Sequence, residues 1–256
     1  MTDPTLLVRP AATLVIVRDR PDGHPELLMT ERAATMVFAA GALVFPGGAV
    51  DEDDRLMAAS MDHGLDPDDA AARIAAIRET LEESGLGIGL GPRVDRAMLA
   101  AMRAAMAEGA TLTDQVAAHG LVLDLHGLIP FARWQPSRIE GATRIYDTRF
   151  YVARAPADQD ASIDTRENVH LFWDSAPSLL SRNDAGELRI IFPTRRNLER
   201  LALFATFDAL VDHAAAIPVE KVCPWAEHRD GVPHLCIPDH LGYPVTSEPM
   251  VSALRA

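Results

Sequence analysis

The segment from Asp66 to Gly85 carries a complete set of helix signals and constrains the fold more than any other part of the chain. Asp66 can cap the first turn, and Pro67 suits the first helical position because an N–H there has no intrahelical partner. Gly85 is typical of the residue that ends a helix. Isoleucine and leucine recur between these residues at helical spacing, so one face is apolar. The sequence therefore predicts a helix over residues 67–84 that packs on a core.

Three glutamates lie on a neighbouring stripe of this helix. Each residue of an α-helix advances by about 100°, so Glu79 faces Glu82 and Glu83 across one turn. Like charges at these spacings repel, and one interpretation is an ordinary solvated acidic face. The other interpretation is a cation site, because Mg²⁺ and Mn²⁺ prefer oxygen ligands and a bound cation turns the repulsion into coordination.

Residues 78–86, RETLEESGL, resemble the second half of the Nudix box, whose full pattern is G-x5-E-x7-R-E-U-x-E-E-x-G-U with U an aliphatic residue. Gly48 is similar to the first glycine of that box. The resemblance implies a Nudix hydrolase with the α/β/α sandwich of that superfamily, in which a mixed β-sheet lies between helices. We expect added helical segments at about residues 94–119 and 195–215, within a single domain over residues 1–256.

The spacing of the motif departs from the standard box. Gly48 and Arg78 are much farther apart than the pattern specifies, which indicates an insertion over about residues 52–66. This stretch is acidic, and we expect it to be irregular. Asp51 and Asp54 are both candidates for the acid that takes the place of the first glutamate of the box.

The resemblance also implies roles at the site. It implies that Glu79, Glu82 and Glu83 bind Mg²⁺ or Mn²⁺ and that one of them orients or deprotonates the attacking water. Arg78 is a further catalytic candidate, since it can hold a glutamate by a charge-assisted bond or act as a partner at the rim. Glu167, just before a predicted strand, is a candidate general base outside the box, and a solvated loop acid is the alternative interpretation.

Residues 28–48 resemble the segment before the box in coenzyme A diphosphatases, a group that carries such an insertion. Arg32 matches an arginine of that segment, whereas Val37 stands where its second arginine is expected. The substrate-binding candidates lie in the glycine turn or on strands: Arg32, Gly47, Gly48 and Arg149. For each arginine, an ordinary charge at a strand edge is the alternative.

Three functions are compatible with these patterns. The first is a divalent-metal-dependent pyrophosphohydrolase that cleaves a diphosphate linkage in a nucleotide-like small molecule, with coenzyme A or acyl-coenzyme A as the substrate. The second is a pyrophosphatase for ADP-ribose or a dinucleotide, which the missing arginine at Val37 keeps open. The third is a non-catalytic module of the same fold that binds a ligand. The three glutamates argue against this module, and the split box argues for it.

Charge and hydropathy limit the partners. The formal net charge of −13 repels nucleic-acid backbones, so a nucleic acid polymer is not an expected partner. A bound cation still allows a small anionic diphosphate substrate. No apolar stretch reaches the length of a membrane span. We therefore expect a cytoplasmic protein without a membrane partner, and a homodimer is compatible with these features.

Other patterns predict elements around the motif. The predicted strands are apolar, and most are rich in β-branched residues. They lie at residues 11–18, 26–31, 42–48, 86–90, 144–154, 169–173 and 186–193, and the third of them runs into the glycine turn. Thr194 is expected to cap the helix that follows the last of these strands. The tail after Ile217 shows little periodicity. This tail contains five residues of the types that bind zinc, which are Cys223, His228, His234, Cys236 and His240. They have two interpretations, a structural zinc site or ordinary polar surface.

Overall fold

The computed structural model describes residues 7–33, 41–92, 94–136, 144–163 and 168–253. The strands in these ranges are β1 (Leu7–Arg18), β2 (Glu26–Arg32), β3 (Leu43–Val44), β4 (Gly47–Ala49), β5 (Leu90–Gly91), β6 (Val122–Leu123), β7 (Ile129–Trp134), β8 (Arg144–Arg154), β9 (Asn168–Ser175), β10 (Lys221–Val222), β11 (Trp225–Arg229), β12 (Val232–Cys236) and β13 (Ser247–Pro249). The helices are α1 (Glu52–Ala59), α2 (Pro67–Ser84), α3 (Arg96–Ala107), α4 (Leu112–His119), α5 (Ala176–Asp184), α6 (Phe192–Leu201), α7 (Phe207–Ala216) and α8 (Met250–Ala253).

A mixed eight-stranded sheet lies at the centre of the fold. Its order is β10-β7-β8-β1-β2-β3, with β4 paired to β1 and β9 paired to β2. β1 runs parallel to β8 along almost its whole length, and its pairs with β2 and β4 are antiparallel. The predicted mixed sheet is confirmed, and the strands predicted at residues 11–18 and 26–31 pair with each other as β1 and β2.

Helices cover both faces of this sheet because β1 is apolar on both sides. Alternate side chains of a strand point to opposite faces. Leu14 and Ile16 lie in the core that includes the apolar face of α2. Val15 and Val17 lie in a second core with side chains of α5, α6 and α7. The result is the predicted α/β/α sandwich.

α2 has the bounds that its sequence signals predict. The side chain of Asp66 accepts hydrogen bonds from the backbone N–H groups of Asp68 and Asp69, both at 3.1 Å. Gly85 follows the helix with φ +71°, a left-handed conformation that favours glycine. The isoleucine and leucine stripe is buried against the sheet. The glutamate stripe of α2 therefore lies at the border of the first core.

The first half of the acidic stretch after β4 is helical, so the expectation of irregular structure is wrong there, whereas residues 60–66 are irregular as expected. α1 occupies the first half of the predicted insertion, and Met57 and Ala58 pack in the core beside α2. The backbone N–H of Asp51 donates to Asp54 Oδ2 at 2.8 Å, which secures the first turn. Acidic side chains in that turn also interact favourably with the helix dipole.

The strand predicted at residues 186–193 is wrong. Ile190 makes an isolated parallel bridge to Leu43, and α6 begins at Phe192. Pro193 explains the difference, because a proline in the first turn of a helix sacrifices no backbone hydrogen bond.

The single helix predicted at residues 195–215 is two helices, α6 and α7. Thr194 lies within α6 rather than at its cap. Thr206 instead caps α7, and its side chain accepts a backbone hydrogen bond from the first turn at 3.2 Å. The backbone N–H of Phe207 donates to Asp19 Oδ1 at 2.8 Å, so the break is anchored beside the end of β1.

The helical segment predicted at residues 94–119 is confirmed as two helices, α3 and α4. The strand predicted at residues 86–90 is wrong over most of its length, since β5 begins only at Leu90. Gly89 has φ +70°, a turn conformation that interrupts an extended strand.

The tail after Ile217 folds into a small sheet that its weak periodicity does not predict. β11, β12 and β13 pair antiparallel in that order. β11 is exposed along its whole length, so alternation of apolar and polar residues provides little signal there. Across the described ranges, no helix combines the length and the apolar character needed to span a membrane.

Candidate active site

A glycine pair on β4 lies against the glutamate stripe of α2. Pairing of β4 with β1 brings Gly47 and Gly48 beside the last turns of the helix. The backbone N–H of Gly47 donates to Glu83 Oε2 at 3.1 Å. A Cβ atom on Gly48 would lie 2.2 Å from Glu79 Oε1, so the glycine leaves room for this carboxylate beside the backbone. The two predicted glycines therefore border the carboxylates.

Arg78 links α2 and β4 to α1, the helix in the insertion. Its Nε and Nη2 donate to the two carboxylate oxygens of Asp54 at 3.0 and 2.9 Å, which is a bidentate pair. Nη2 also donates to the main-chain oxygen of Ala49 at 2.9 Å. Nη1 donates to Glu79 Oε1 at 2.8 Å and lies 3.6 Å from Glu82 Oε2. One guanidinium thus joins α1, β4 and two of the three candidate ligands.

Of the two candidate acids after β4, Asp54 occupies the position that pairs with the arginine. Its side chain is 1% exposed. The side chain of Asp51 is 57% exposed, and its carboxylate lies 3.7 Å from Arg78 Nη2. A buried carboxylate is costly unless it is paired, so the contact with Arg78 is what allows Asp54 to be buried. The insertion therefore does not remove this acid from the site, because α1 folds back onto α2.

The carboxylates around Arg78 stabilise its positive charge. Burial of the guanidinium opposes the charged form, whereas the hydrogen bond to Asp54 and the carboxylates of Glu79 and Glu82 favour it. The net effect raises the pKa of Arg78 above its ordinary value. The side chain is therefore a permanent cation that can hold carboxylates but cannot exchange a proton during a reaction.

The three candidate metal ligands on α2 carry only oxygen donors. Glu83 is buried, whereas the side chains of Glu79 and Glu82 are 15% and 35% exposed, so the set is open to solvent on one side. Within the described part of the chain, no three His, Cys, Asp or Glu side chains already surround one point as metal ligands. Hard oxygen donors beside the glycine cradle fit Mg²⁺ or Mn²⁺ in chemistry. Because the three carboxylates do not yet surround one point, coordination of one ion by all three requires side-chain rotations from the arrangement seen here.

Arg149 lies apart from the glutamates. Its Nε is 3.9 Å from Asp69 Oδ1 in the first turn of α2, and the hydroxyl of Tyr151 donates to the same oxygen at 2.7 Å. The rise of an α-helix puts Asp69 about 15 Å from Glu79 along the axis. Arg149 therefore has a partner on the first turn of α2, and binding of substrate phosphates by Arg149 stays a prediction.

The remaining candidates lie at the end of β2 and beyond the described residues. Arg32 is the last residue of β2 and pairs with Asn168 of β9. Its backbone N–H donates to Ala42 O at 3.1 Å, which fixes the strand end. Glu167 and Val37 are outside the described residues, so the candidate base and the site of the missing arginine stay predictions.

The cysteines and histidines of the tail do not come together. Cys223 is exposed and Cys236 is buried. His234 Nδ1 lies 2.8 Å from a serine hydroxyl of β13, and His240 Nε2 lies 3.2 Å from a glutamate carboxylate. In the ranges that the structure describes, these side chains do not form a group that could hold an ion.

Sequence reasoning missed two residues that contact the end of α2. Arg103 of α3 and Ser162, which follows β8, both bind main-chain carbonyls of its last turn. Neither residue belongs to a motif. Their contacts join positions far apart in the sequence, which local patterns do not encode.

Comparison with curated proteins relates the chain to Nudix hydrolases, although no protein-family model matches it. It is 40% identical over 101 residues to the uncharacterized Nudix hydrolase NudL of Cronobacter sakazakii, covering 37% of this chain and 44% of that protein. It is 27% identical over 241 residues to the acyl-coenzyme A diphosphatase NUDT19 of Gallus gallus, covering 72% of this chain and 63% of that protein. The chain thus spans less than two thirds of the length of these relatives.

A solved structure provides the fuller match. The fold is similar to the crystal structure of a Nudix hydrolase from Alicyclobacillus acidocaldarius, with a TM-score of 0.71 and 30% sequence identity. The match covers 83% of this chain and 97% of that chain. Since this likeness in sequence and fold extends over nearly the whole of a known member, the chain belongs to the Nudix hydrolase family.

Proposed function

We propose that the protein is a divalent-metal-dependent pyrophosphohydrolase that cleaves a diphosphate linkage in a nucleotide-like small molecule. One observation carries the proposal: Arg78 contacts Glu79 and Glu82, the backbone N–H of Gly47 binds Glu83, and Gly48 lies against Glu79, so β4 and one arginine contact all three glutamates of α2. Membership of the Nudix hydrolase family supports it.

In this proposal Glu79, Glu82 and Glu83 hold Mg²⁺ or Mn²⁺ through their carboxylate oxygens. The bound ion supplies positive charge against the phosphate oxygens of the substrate. One of the three carboxylates also orients the attacking water or accepts its proton. Arg78 acts as a positioning residue, because it is a buried permanent cation that sets the place of Asp54 and Glu79.

Coenzyme A and acyl-coenzyme A are the substrates we propose first. The support is a relative named an acyl-coenzyme A diphosphatase, which aligns over most of this chain. Arg32 is the arginine that we expect to meet the substrate, since it ends β2 and matches the sequence segment of that group. ADP-ribose and dinucleotides contain the same type of bond, so the experiment must separate these classes.

The test is a product analysis with the purified chain and Mg²⁺ or Mn²⁺. The substrates are coenzyme A, an acyl-coenzyme A, ADP-ribose and a diadenosine polyphosphate. We expect coenzyme A to yield 3′,5′-ADP and 4′-phosphopantetheine, because water adds across the diphosphate bond. Glu82→Gln should lower turnover more than about 100-fold, since it removes a metal ligand. Glu108→Gln, an exposed change at the end of α3, is the matched control.

Each outcome decides between the functions. Turnover of ADP-ribose or the dinucleotide alone would keep the chemistry and replace the substrate. Metal-dependent binding without turnover of any compound would identify a non-catalytic ligand-binding module. Equal turnover by wild type and Glu82→Gln would reject the metal site on α2.

A further inference from the structure

An arginine outside the motif holds the end of the glutamate helix. Arg103 donates from Nε to Glu82 O at 2.7 Å and from Nη2 to Glu83 O at 3.1 Å. Its Nη1 donates to Ser162 Oγ at 3.0 Å, and the backbone N–H of Ser162 donates to Ser84 O at 2.8 Å. Three consecutive main-chain carbonyls at the end of α2 are therefore bound from outside the helix.

The last turn of α2 favours a nearby positive charge that its own side chains do not provide. The final carbonyl groups of a helix have no intrahelical donor, and the negative end of the dipole favours a cation. All residues of this turn are described, and none of them is basic. Arg103 supplies both the missing donors and the positive charge from α3.

Packing of α3 brings Arg103 to this position. Leu99 is buried in the first core, and Arg103 lies one helical turn later on the same side. Leu99 also packs against Gly87, just beyond the end of α2. A Cβ atom on Gly85 would lie 2.9 Å from the hydroxyl of Ser162 and 3.3 Å from Arg103 Nη1, so the contact with the helix end is close.

We propose that Arg103 is a positioning residue for the metal-binding carboxylates, an inference that rests on the proposed function. Glu82 and Glu83 lie in the last turn of α2, and helix ends fray unless other groups hold them. A functional site needs its ligands held within about 0.5 Å of the productive geometry. Arg103 binds the main-chain oxygens of the same two residues that provide the ligands, so it fixes the backbone from which their carboxylates extend.

Mn²⁺ binding to the purified chain without substrate tests this role, and electron paramagnetic resonance measures the free ion. We expect Arg103→Gln to weaken Mn²⁺ binding about tenfold, because groups that orient metal ligands contribute about 10- to 100-fold to affinity. Arg103→Lys keeps the charge but loses the forked donors, so it should recover part of the affinity. Thermal unfolding of each variant in EDTA reports stability separately from metal binding.

Two further variants complete the design. Arg96→Gln is the matched control, since Arg96 also joins α3 to the loop of Ser162 but does so through an exposed ion pair with Asp160. It should bind Mn²⁺ like wild type. Ser162→Ala removes the hydroxyl that accepts the hydrogen bond from Arg103 Nη1, with little change in volume. It should weaken Mn²⁺ binding about threefold, which keeps the proposal testable if Arg103→Gln fails to fold.

Wild-type Mn²⁺ affinity in both Arg103→Gln and Ser162→Ala would overturn the proposal and leave the contact as a helix cap only. Where Arg103→Gln fails to fold, wild-type affinity in Ser162→Ala and Arg103→Lys would overturn it equally.

Glu82→Gln distinguishes this result from failure of the proposed function. Loss of binding in Glu82→Gln alone would reject only the role of Arg103. Unchanged binding in Glu82→Gln would reject the metal site itself.

Discussion

At the scale of single residues, the pair of Arg78 and Asp54 decides how the split motif still forms one site. Asp54 lies in the inserted segment, far from Arg78 along the chain, yet their side chains make two hydrogen bonds at 2.9 and 3.0 Å. Both side chains are nearly inaccessible, so each charge depends on the other. The pair therefore fixes the place from which Arg78 reaches Glu79.

Asp54→Asn should lower the free energy of unfolding by about 3 kcal/mol, because it leaves Arg78 buried without its bidentate anion. Urea denaturation followed by circular dichroism measures the change. Asp51→Asn is the matched control, since this exposed side chain lies 3.7 Å from the same guanidinium. It should change stability by less than about 0.5 kcal/mol. A similar loss in both variants would show that Asp54 is not the principal partner.

At the scale of elements, the junction of α6 and α7 contains a histidine that faces a buried arginine. Arg200 Nε donates to His213 Nε2 at 3.1 Å, and Arg200 is 1% exposed. Because arginine can only donate, the accepting ring nitrogen must be unprotonated. Burial, followed by the charge of Arg200, lowers the pKa of His213. The contact therefore favours the neutral imidazole in the folded state.

The stability of the protein should fall in mildly acidic solution through this group. The unfolded chain binds a proton to His213 more readily than the folded chain does, so the free energy of unfolding decreases as pH drops through the ordinary pKa of 6.5 toward the lowered one. His213→Gln should flatten this dependence below about pH 7. Urea denaturation at several pH values measures the slope, with exposed His119→Gln as the control for loss of a histidine. Parallel slopes for wild type and His213→Gln would contradict the prediction.

At the scale of the whole molecule, one arginine and one glycine pair connect the elements around the proposed metal site. α2 packs on the sheet through its apolar face, β4 touches its glutamates, and α1 reaches it through Asp54. An ion held by the glutamates would bind the folded chain and not the unfolded one. Metal binding should therefore stabilise the whole fold by mass action.

Mn²⁺ at 100 times its dissociation constant should add about 2.7 kcal/mol to the free energy of unfolding. Thermal denaturation with and without the ion measures the gain, and EDTA should remove it. Glu82→Gln should abolish most of the gain, whereas Glu108→Gln should retain it. A gain of equal size in Glu82→Gln would mean that the stabilising ion binds elsewhere on the chain.

Local patterns predicted the elements that depend on local interactions. The cap at Asp66, the proline at Pro67 and the stop at Gly85 lie within or beside α2, so its bounds could be read directly. The break between α6 and α7 was missed because its anchor, Asp19, is far away in the sequence. The strand predicted at 186–193 failed for a related reason, since apolar residues before a helix and in a strand look alike without their neighbours.

The amino-acid sequence alone determined the glutamate stripe, the core-facing side of α2 and the resemblance to the Nudix family, because periodicity, caps and motif letters are properties of neighbouring residues. Tertiary structure decided that Asp54 rather than Asp51 pairs with Arg78, that Arg149 lies beside Asp69, and that Arg103 binds the end of α2. The physical reason is that a charged group is buried only where packing brings a partner to it. Packing brings together elements that are far apart along the chain, so separation in sequence does not predict which elements lie close in space.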